Sequence, residues 1–438
     1  MCLETIGDEP VTRVWSKDIR FSLNKINKAV AILIDNEENC YVLGSSWYSD
    51  STKDIILEKI DSQGNELWIR SYDSNLHGDD IPTSMCLDPN GNIWICGMSR
   101  SVSGKADLLI VKFSSDGIPV FDYLYDGPAH HFDCGNSIAS DKAGNIFVCG
   151  YETSQDSGIN IITMCFKQTG LLSWRHSFST LDMDVANMLM VDDSSNVYVC
   201  GTINNSLHSA DLVVLKYNLA GKNKWQYVFN GQLAQSDFGK FIAADDSMNI
   251  YVSGYVNHSN DRADVPVLKL NRNGRLLQET FYNGRIADCG AINLLPTKNA
   301  VYITGSCLDY NISENSTFLF CLSKGGIENY TLHAPEDVRF INNAEINGSS
   351  YIFGSKTIHP ESTLIPFITE NDSLKLQWMF ADSTVSGLSH IVAIQAKGNG
   401  VYFLGDDTGE ANGTISVFKY TLNTIPPIIT KQNKKRNK

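Results

Sequence analysis

The sequence predicts an all-β protein, a single eight-bladed β-propeller, and a regular repeat carries this prediction. A short apolar segment that ends in glycine recurs eight times along the 438 residues, at steps of 53, 53, 51, 53, 51, 49 and 51 residues. The apolar residues of each copy alternate or run continuously, which is typical of strands and not of helices. Short strands repeated at this spacing are the signature of propeller blades. The repeated glycines are Gly44, Gly97, Gly150, Gly201, Gly254, Gly305, Gly354 and Gly405.

Positions counted from this glycine define four strands in each copy. An aromatic residue lies three positions before the glycine in all eight copies, and an aspartate lies seventeen positions before it in six. Another aspartate, nine positions before the glycine in the first five copies, opens a turn such as DPNGN. Asp or Asn ten positions after the glycine precedes an apolar run, and an aromatic 24 positions after it, most often Trp, marks a further segment. We therefore expect four-stranded antiparallel blades.

The two ends of the chain predict how the ring closes. The segment TRVWSKDIRF resembles a fourth strand, whereas the last copy stops after its third strand. Pairing between them leaves no open sheet edge, which is the liability that closure removes. Seven closed blades with one outlying unit is the alternative. We expect one propeller domain over residues 11–424 and a disordered basic tail over 425–438, with blades near 27–73, 80–126, 133–179, 184–230, 237–283, 288–333, 337–382 and 388–424 plus 11–20.

The repeat resembles the bacterial β-propeller repeat called SBBP, whose units read approximately D-x-A-x-x-I-A-x-D-x-x-G-N-I-Y-V-x-G. The segments DCGNSIASDKAGNIFVCG (133–150) and DFGKFIAADDSMNIYVSG (237–254) are the clearest matches. The resemblance implies the propeller fold, and it implies no particular activity because the family is defined by its repeat. Two features depart from it: the family name implies seven blades, and its members are often exported.

Composition and missing motifs exclude several classes. The chain has 49 acidic and 35 basic residues, a net charge of −14, which disfavours nucleic acid as a partner. Its apolar runs are too short for a membrane helix. The acidic N-terminal segment MCLETIGDEP does not read as a secretory signal, so we expect a cytoplasmic protein, export without a recognisable signal, or a mature chain from which a leader was removed. Eleven cysteines without a C-x-x-C pair predict structural thiols.

One face of the predicted propeller carries the longer loops. The connections that enter each first strand and those that join the second and third strands fall on that face, and the opposite face has tight turns. Because binding residues concentrate on loops held by a rigid scaffold, we predict a binding face there. The predicted anchors are Trp47, Tyr48, Tyr151 and Tyr310. The preferred function is a non-catalytic, monomeric binding or scaffold module for a protein or carbohydrate ligand.

The same face carries an acidic ring at the predicted channel mouth. Its members are Asp80, Asp133, Asp184, Asp237, Asp288 and Asp337. We interpret these aspartates chiefly as caps for backbone N–H groups, with a cation at the channel mouth as the functional alternative and no other cofactor. His131 beside Asp133 is a weak candidate for acid–base or metal chemistry. The alternative function is accordingly a lyase or hydrolase acting at the channel mouth.

Overall fold

A computed structural model shows how the chain folds. It describes residues 11–423 except 20–26, 48–51, 102–103, 157, 181, 205–208, 232–234, 260–261, 284–286, 310–313, 335–337, 347–348, 359–362, 373–374, 383–384, 386–387 and 408–412. Every regular element among the described residues is a β-strand. The predicted basic tail over 425–438 lies outside this part of the chain.

Each of the first four blades is an antiparallel sheet of four consecutive strands. Blade 1 contains β2 (Asn27–Ile34), β3 (Cys40–Trp47), β4 (Lys53–Ile60) and β5 (Glu66–Tyr72). Blade 2 contains β6 (His77–Leu87), β7 (Ile93–Ser101), β8 (Ala106–Phe113) and β9 (Pro119–Tyr125). Blade 3 contains β10 (Cys134–Ser140), β11 (Ile146–Ser154), β12 (Gly158–Phe166) and β13 (Leu172–Phe178). Blade 4 contains β14 (Val185–Val191), β15 (Val197–Asn204), β16 (Ala210–Tyr217) and β17 (Asn223–Phe229).

Blades 5 to 7 follow the same plan. Blade 5 contains β18 (Asp237–Ala244), β19 (Ile250–Ser259), β20 (Arg262–Leu270) and β21 (Leu276–Tyr282). Blade 6 contains β22 (Ala287–Pro296), β23 (Ala300–Asp309), β24 (Glu314–Ser323) and β25 (Glu328–His333). Blade 7 contains β26 (Val338–Ile346), β27 (Ser349–Ile358), β28 (Thr363–Asp372) and β29 (Lys375–Ala381).

A composite sheet, which we call the closing sheet, joins the two ends of the ring. Its strands, in sheet order, are β1 (Val11–Ile19), β32 (Thr414–Leu422), β31 (Gly400–Asp407) and β30 (His390–Lys397). Its β30 contacts β26 of blade 7 on one side and β2 of blade 1 on the other, so the sheets form a ring.

The predicted count of eight blades needs a correction. Counted as blades of continuous chain, the described residues form seven rather than eight. The remaining sheet is composite, because the last copy contributes only three strands and takes its fourth from the N-terminal segment. The all-β class and the four-stranded antiparallel sheets are confirmed, and the fold is a β-propeller.

The repeated glycine is required by a close approach inside the blade. The first strand of blade 3 shifts register between Gly135 and Ser137, opposite Gly150 of the second strand. A Cβ atom on Gly150 would lie 1.9 Å from the carbonyl oxygen of Cys134, nearer than any side chain tolerates. The bulge therefore requires a glycine on the facing strand, which explains why both recur from blade to blade.

The aspartate before each second strand organises the turn that follows it. Asp88 Oδ1 accepts hydrogen bonds from the backbone N–H groups of Asn90 (2.9 Å) and Asn92 (3.0 Å). Its Oδ2 also accepts a bond from Trp94 Nε1 at 3.2 Å, and Asp192 receives the hydroxyl of Tyr198 in the same way at 3.0 Å. The spacing of six residues between the aspartate and the aromatic thus ties the turn to the blade core.

Aromatic side chains on the outer strands fasten each sheet to the next. Trp174 Nε1 of blade 3 donates to the carbonyl oxygen of Leu219 in blade 4 at 2.8 Å. Trp15 of the closing sheet donates in the same way to Ser62 of blade 1, at 3.0 Å, and its ring packs over Gly64. The hydrophobic core lies between adjacent sheets, as where Phe147 of blade 3 clusters with buried side chains of blade 4.

One cysteine pair differs from the thiols that the sequence predicts. Cys289 and Cys307 form a disulfide between β22 and β23 in blade 6, where they are direct cross-strand partners. The other eight cysteines among the described residues are not part of this disulfide, and seven of them are buried. Within the same part of the chain, no helix is long and apolar enough to cross a membrane.

Candidate functional site: the loop face

The longer connections lie on one face of the ring, which we call the loop face. It is formed by the connections that enter each first strand and by those that join second and third strands. The opposite face, here the turn face, carries the tight turns that open at residues such as Asp61 and Asp88. Among the described residues, this face contains Asp80, Asp133, Asp184, Asp237 and Asp288 of the predicted acidic ring.

Backbone hydrogen bonds fix the entry connections of the loop face to the preceding blade. Asp133 N donates to the carbonyl oxygen of Ala106 at 2.8 Å, and Ala106 N donates to that of His131 at 3.1 Å. At the next junction, Asp184 N donates to the carbonyl oxygen of Ile159 at 2.7 Å. These short parallel bridges hold the residue before each of the two aspartates in a defined position.

The aspartates of the acidic ring accept backbone hydrogen bonds. Asp133 is fully buried, and its two oxygens accept from Gly127 N (2.5 Å) and Thr153 N (2.7 Å). Asp184 accepts from Thr180 N at 2.5 Å and Asn204 N at 3.0 Å. The others behave similarly: Asp237 accepts from Gly231 N and Asn257 N, Asp80 from Ser74 N, and the half-buried Asp288 from Ala263 N. Asp337 lies outside the described residues.

Burial disfavours the ionised form of several carboxylates on the loop face. Burial raises the pKa of Asp133 to about 6, against the lowering effect of its two backbone hydrogen bonds. Burial also raises the pKa of Asp80 and of Asp107. A negative charge at the loop face therefore costs free energy unless a cation offsets it.

Two neighbouring junctions gather three carboxylates each. Between blades 1 and 2, one oxygen from each of Asp54, Asp73 and Asp80 lies within 4.8 Å of the others. Between blades 2 and 3, the equivalent residues Asp107, Asp126 and Asp133 form the same arrangement. We call them the first and second acidic clusters. The sequence analysis missed Asp73 and Asp126, although the spacing D-x-x-x-H-x-x-D marks both segments, 73–80 and 126–133.

The histidines of these segments contact the aspartates that the sequence analysis missed. His77 Nδ1 lies 3.4 Å from Asp73 Oδ2, and His130 Nδ1 lies 2.6 Å from Asp126 Oδ2. His131, the predicted weak catalytic candidate, is exposed, and no hydrogen bond among the described residues joins its ring to Asp133. The structure therefore pairs His130, and not His131, with a carboxylate.

Of the four predicted aromatic anchors, only Tyr151 has a described side chain. Tyr48 and Tyr310 lie outside the described residues, and only the backbone of Trp47 is described, at the end of β3. Tyr151 lies beside the repeated glycine of blade 3, is half-buried, and pairs across the strands with Cys134. Burial raises the pKa of its hydroxyl.

Two exposed apolar side chains on the loop face were not predicted. Phe132 is 46% exposed and Met183 is 53% exposed, and each directly precedes an aspartate of the acidic ring. Both take part in the parallel bridges to the preceding blade, Phe132 with Ala106 and Met183 with Ile159. Their neighbouring junctions present them on one side of the ring. In the sequence, each is simply an apolar residue before the repeated aspartate. That pattern suggests a binding site only when the structure shows that the position is exposed.

The turn face offers a different kind of concavity. An open cavity of about 670 Å³ lies between the turns of blades 4 and 5. Its lining includes Asp192, Tyr198, Lys216, Asp245 and Arg272. Asp192 and Asp245 already accept hydrogen bonds from their own turns.

Comparisons with known proteins identify no family for this chain. No protein-family model matches the chain, and no curated protein matches it. A eukaryotic initiation factor is 8% identical with a TM-score of 0.49, covering 89% of this chain and 85% of that chain. The polysaccharide lyase Uly1 is 9% identical with a TM-score of 0.49, covering 90% of both chains. The β-propeller domain of the Trilobed protease from Pyrococcus furiosus is 9% identical with a TM-score of 0.45, covering 80% of this chain and 96% of that domain. At these values the similarities carry no argument about function.

Proposed function

We propose that this propeller is a binding module that docks a protein ligand on the loop face of blades 2 to 4. The observation that carries the proposal is the exposure of Phe132 and Met183 at neighbouring junctions. Aromatic residues and methionine are enriched in protein interfaces. Because backbone bridges hold both residues, little conformational entropy is lost when a partner covers them.

Charge supports a partner with basic groups around an apolar contact. Asp126 and His130 lie exposed beside the bridge that holds Phe132, within a chain of net charge −14. A rim of carboxylates steers a basic partner toward the face and disfavours nucleic acid. The sequence also suggested a carbohydrate ligand. Carbohydrate sites use flat aromatic surfaces, and only Phe132 of the two exposed side chains is aromatic, so a protein ligand is favoured.

We propose the SBBP-type repeat as the finer family assignment. Its support is the match of segments 133–150 and 237–254 to the repeat pattern, together with a physical role for each repeated position. The aspartate caps the entry connection, the second aspartate forms the turn, and the glycine faces the bulge.

The experiment compares two double substitutions in the same region but on opposite faces. F132S/M183S removes the apolar contact of the loop face. The control I118S/L171S removes two side chains that are 57% and 68% exposed at the turns of blades 2 and 3, on the turn face. Both variants and the wild-type chain serve as baits for crosslinking in lysate, followed by mass spectrometry and by titration of each captured protein in purified form.

We expect a partner whose affinity falls at least about tenfold with F132S/M183S and stays unchanged with I118S/L171S, since anchors of this kind contribute more than about 1 kcal/mol each. A partner lost only with I118S/L171S would place binding on the turn face and refute the proposal. Specific binding of a glycan, with no protein partner, would favour the carbohydrate alternative.

A further inference from the structure

We propose that the first acidic cluster, Asp54, Asp73 and Asp80, is a binding site for a single calcium ion between blades 1 and 2. One carboxylate oxygen of each residue lies within 4.8 Å of the other two. Calcium binds oxygen ligands at about 2.3–2.6 Å, so one ion can contact oxygens up to about 5 Å apart. Three carboxylates are a donor set typical of this hard cation.

A buried oxygen with no donor points to the ion independently of the clustering. Asp80 is fully buried, and its Oδ2 accepts a hydrogen bond from Ser74 N at 2.6 Å. Its Oδ1 is also buried and accepts no hydrogen bond from any described residue. A buried carboxylate oxygen without a partner is costly, and a bound cation satisfies it.

The second acidic cluster provides a contrast within the same molecule. There the equivalent aspartate, Asp133, uses both oxygens to accept backbone hydrogen bonds from Gly127 and Thr153. Its requirement for a partner is therefore met by the protein. The first cluster, in which one oxygen of Asp80 stays unsatisfied, is the one that the geometry assigns to calcium.

Another junction has an amide at the position of Asp73. Between blades 5 and 6, the residue that corresponds to Asp73 is Asn283, whose Nδ2 lies 3.4 Å from Asp264 Oδ2. An amide donor thus stands next to the third-strand aspartate there. In the first cluster a third carboxylate takes that place, so the position offers an oxygen ligand instead of an amide donor.

The inference does not depend on the proposed protein partner, and its test uses calcium alone. The full chain is freed of metal with a chelator, dialysed and titrated with calcium chloride by calorimetry, alongside D73N and D126N. D73N introduces an amide side chain at the first cluster, where the junction between blades 5 and 6 has Asn283. Because Asp73 is 48% exposed, we expect this variant to fold. D126N makes the identical change at the second cluster.

We expect one calcium ion per chain in the wild type and in D126N, with affinity at least about tenfold weaker in D73N, because calcium affinity follows the number of charged ligands. Calcium should also raise the melting temperature of the wild type and D126N but not of D73N. Absence of binding by the wild type, binding unchanged in D73N, or loss of binding in D126N would each overturn the proposal.

Discussion

The two faces of the propeller carry aspartates at repeated positions, and Asp133 on the loop face differs electrostatically from Asp245 on the turn face. On the loop face, burial raises the pKa of Asp133 to about 6, although two backbone N–H groups bond to it. On the turn face, burial also opposes ionisation of Asp245, but hydrogen bonds from Asn249 and the ion pair with Lys324 outweigh it and lower the pKa to about 2. Burial is common to both, so the donors decide the difference.

The comparison shows that one residue type serves two purposes in this repeat. A turn-face aspartate is stabilised as an anion by an asparagine four residues later, which supplies both its backbone N–H and its side-chain amide. A loop-face aspartate joins segments that are distant in sequence, as Asp133 joins Gly127 and Thr153, and its charge is a cost of that linkage. The loop face is therefore the face where charge neutralisation has the larger effect.

The largest effect is expected from removing a loop-face cap. D133A leaves the N–H groups of Gly127 and Thr153 without their acceptor in a buried site, so the free energy of unfolding should fall by about 2–4 kcal/mol. The turn-face counterpart D192A should cost only about 1 kcal/mol, because Ser194 is exposed and because Asp192 and its other donor Tyr198 line an open cavity that water can enter. Urea unfolding at neutral pH measures both. Equal losses would mean that the two faces do not differ in this way.

The next effect is a pH dependence of stability that belongs to Asp133. Its folded pKa of about 6 exceeds the ordinary value of 3.8, so the folded state binds more protons between these values and stability falls as pH rises through them. The wild type should therefore gain roughly 2–3 kcal/mol relative to D133N when the pH is lowered from 7 to about 4. Urea unfolding at several pH values tests this. Parallel profiles for the two proteins would contradict the raised pKa.

The smallest effect concerns the turn face. Lys324 Nζ lies 3.2 Å from Asp245 Oδ2, and K324M should raise the pKa of Asp245 and destabilise the protein by about 0.5–1 kcal/mol at pH 7. A lowered pKa stabilises above the unfolded value, so this penalty should disappear as the pH falls from about 4 to 2. NMR titration of Asp245 reports the shift. K142M, which removes an exposed ion pair with Asp193, is the control and should change neither quantity.

Much of the fold was predictable because each repeated position has a local cause. Gly150 is required by a carbonyl oxygen that approaches from the neighbouring strand, and Asp88 with Trp94 forms a turn-to-core hydrogen bond at fixed spacing. The division into seven continuous blades and one closing sheet depends on pairing between residues about 400 positions apart, such as Val11 and Leu422. The sequence identified the two ends as partners, but counted the sheet that they share as an eighth blade.

The site was less predictable because it depends on loop conformation. Asp73 and Asp126 reach their clusters through connections in which His77 and His130 adopt positive φ values of 50° and 52°, which no residue type in those segments demands. The disulfide of Cys289 and Cys307 likewise depends on register, since a bulge one residue along the strand would separate the pair. Exposure of Phe132 and Met183 follows from the bridges and not from hydropathy.

The closing sheet also has a consequence for the order in which the protein folds. Strand β1 is synthesised before its partner β32 and can pair with it only after Thr414–Leu422 has been made. Until then, Trp15 has only the turn of blade 1 to pack against, and β1 is a strand without a pairing partner. Loop closure over this length is slow and leaves β1 accessible to neighbouring chains. Completing the ring is thus the step at which synthesis and aggregation compete.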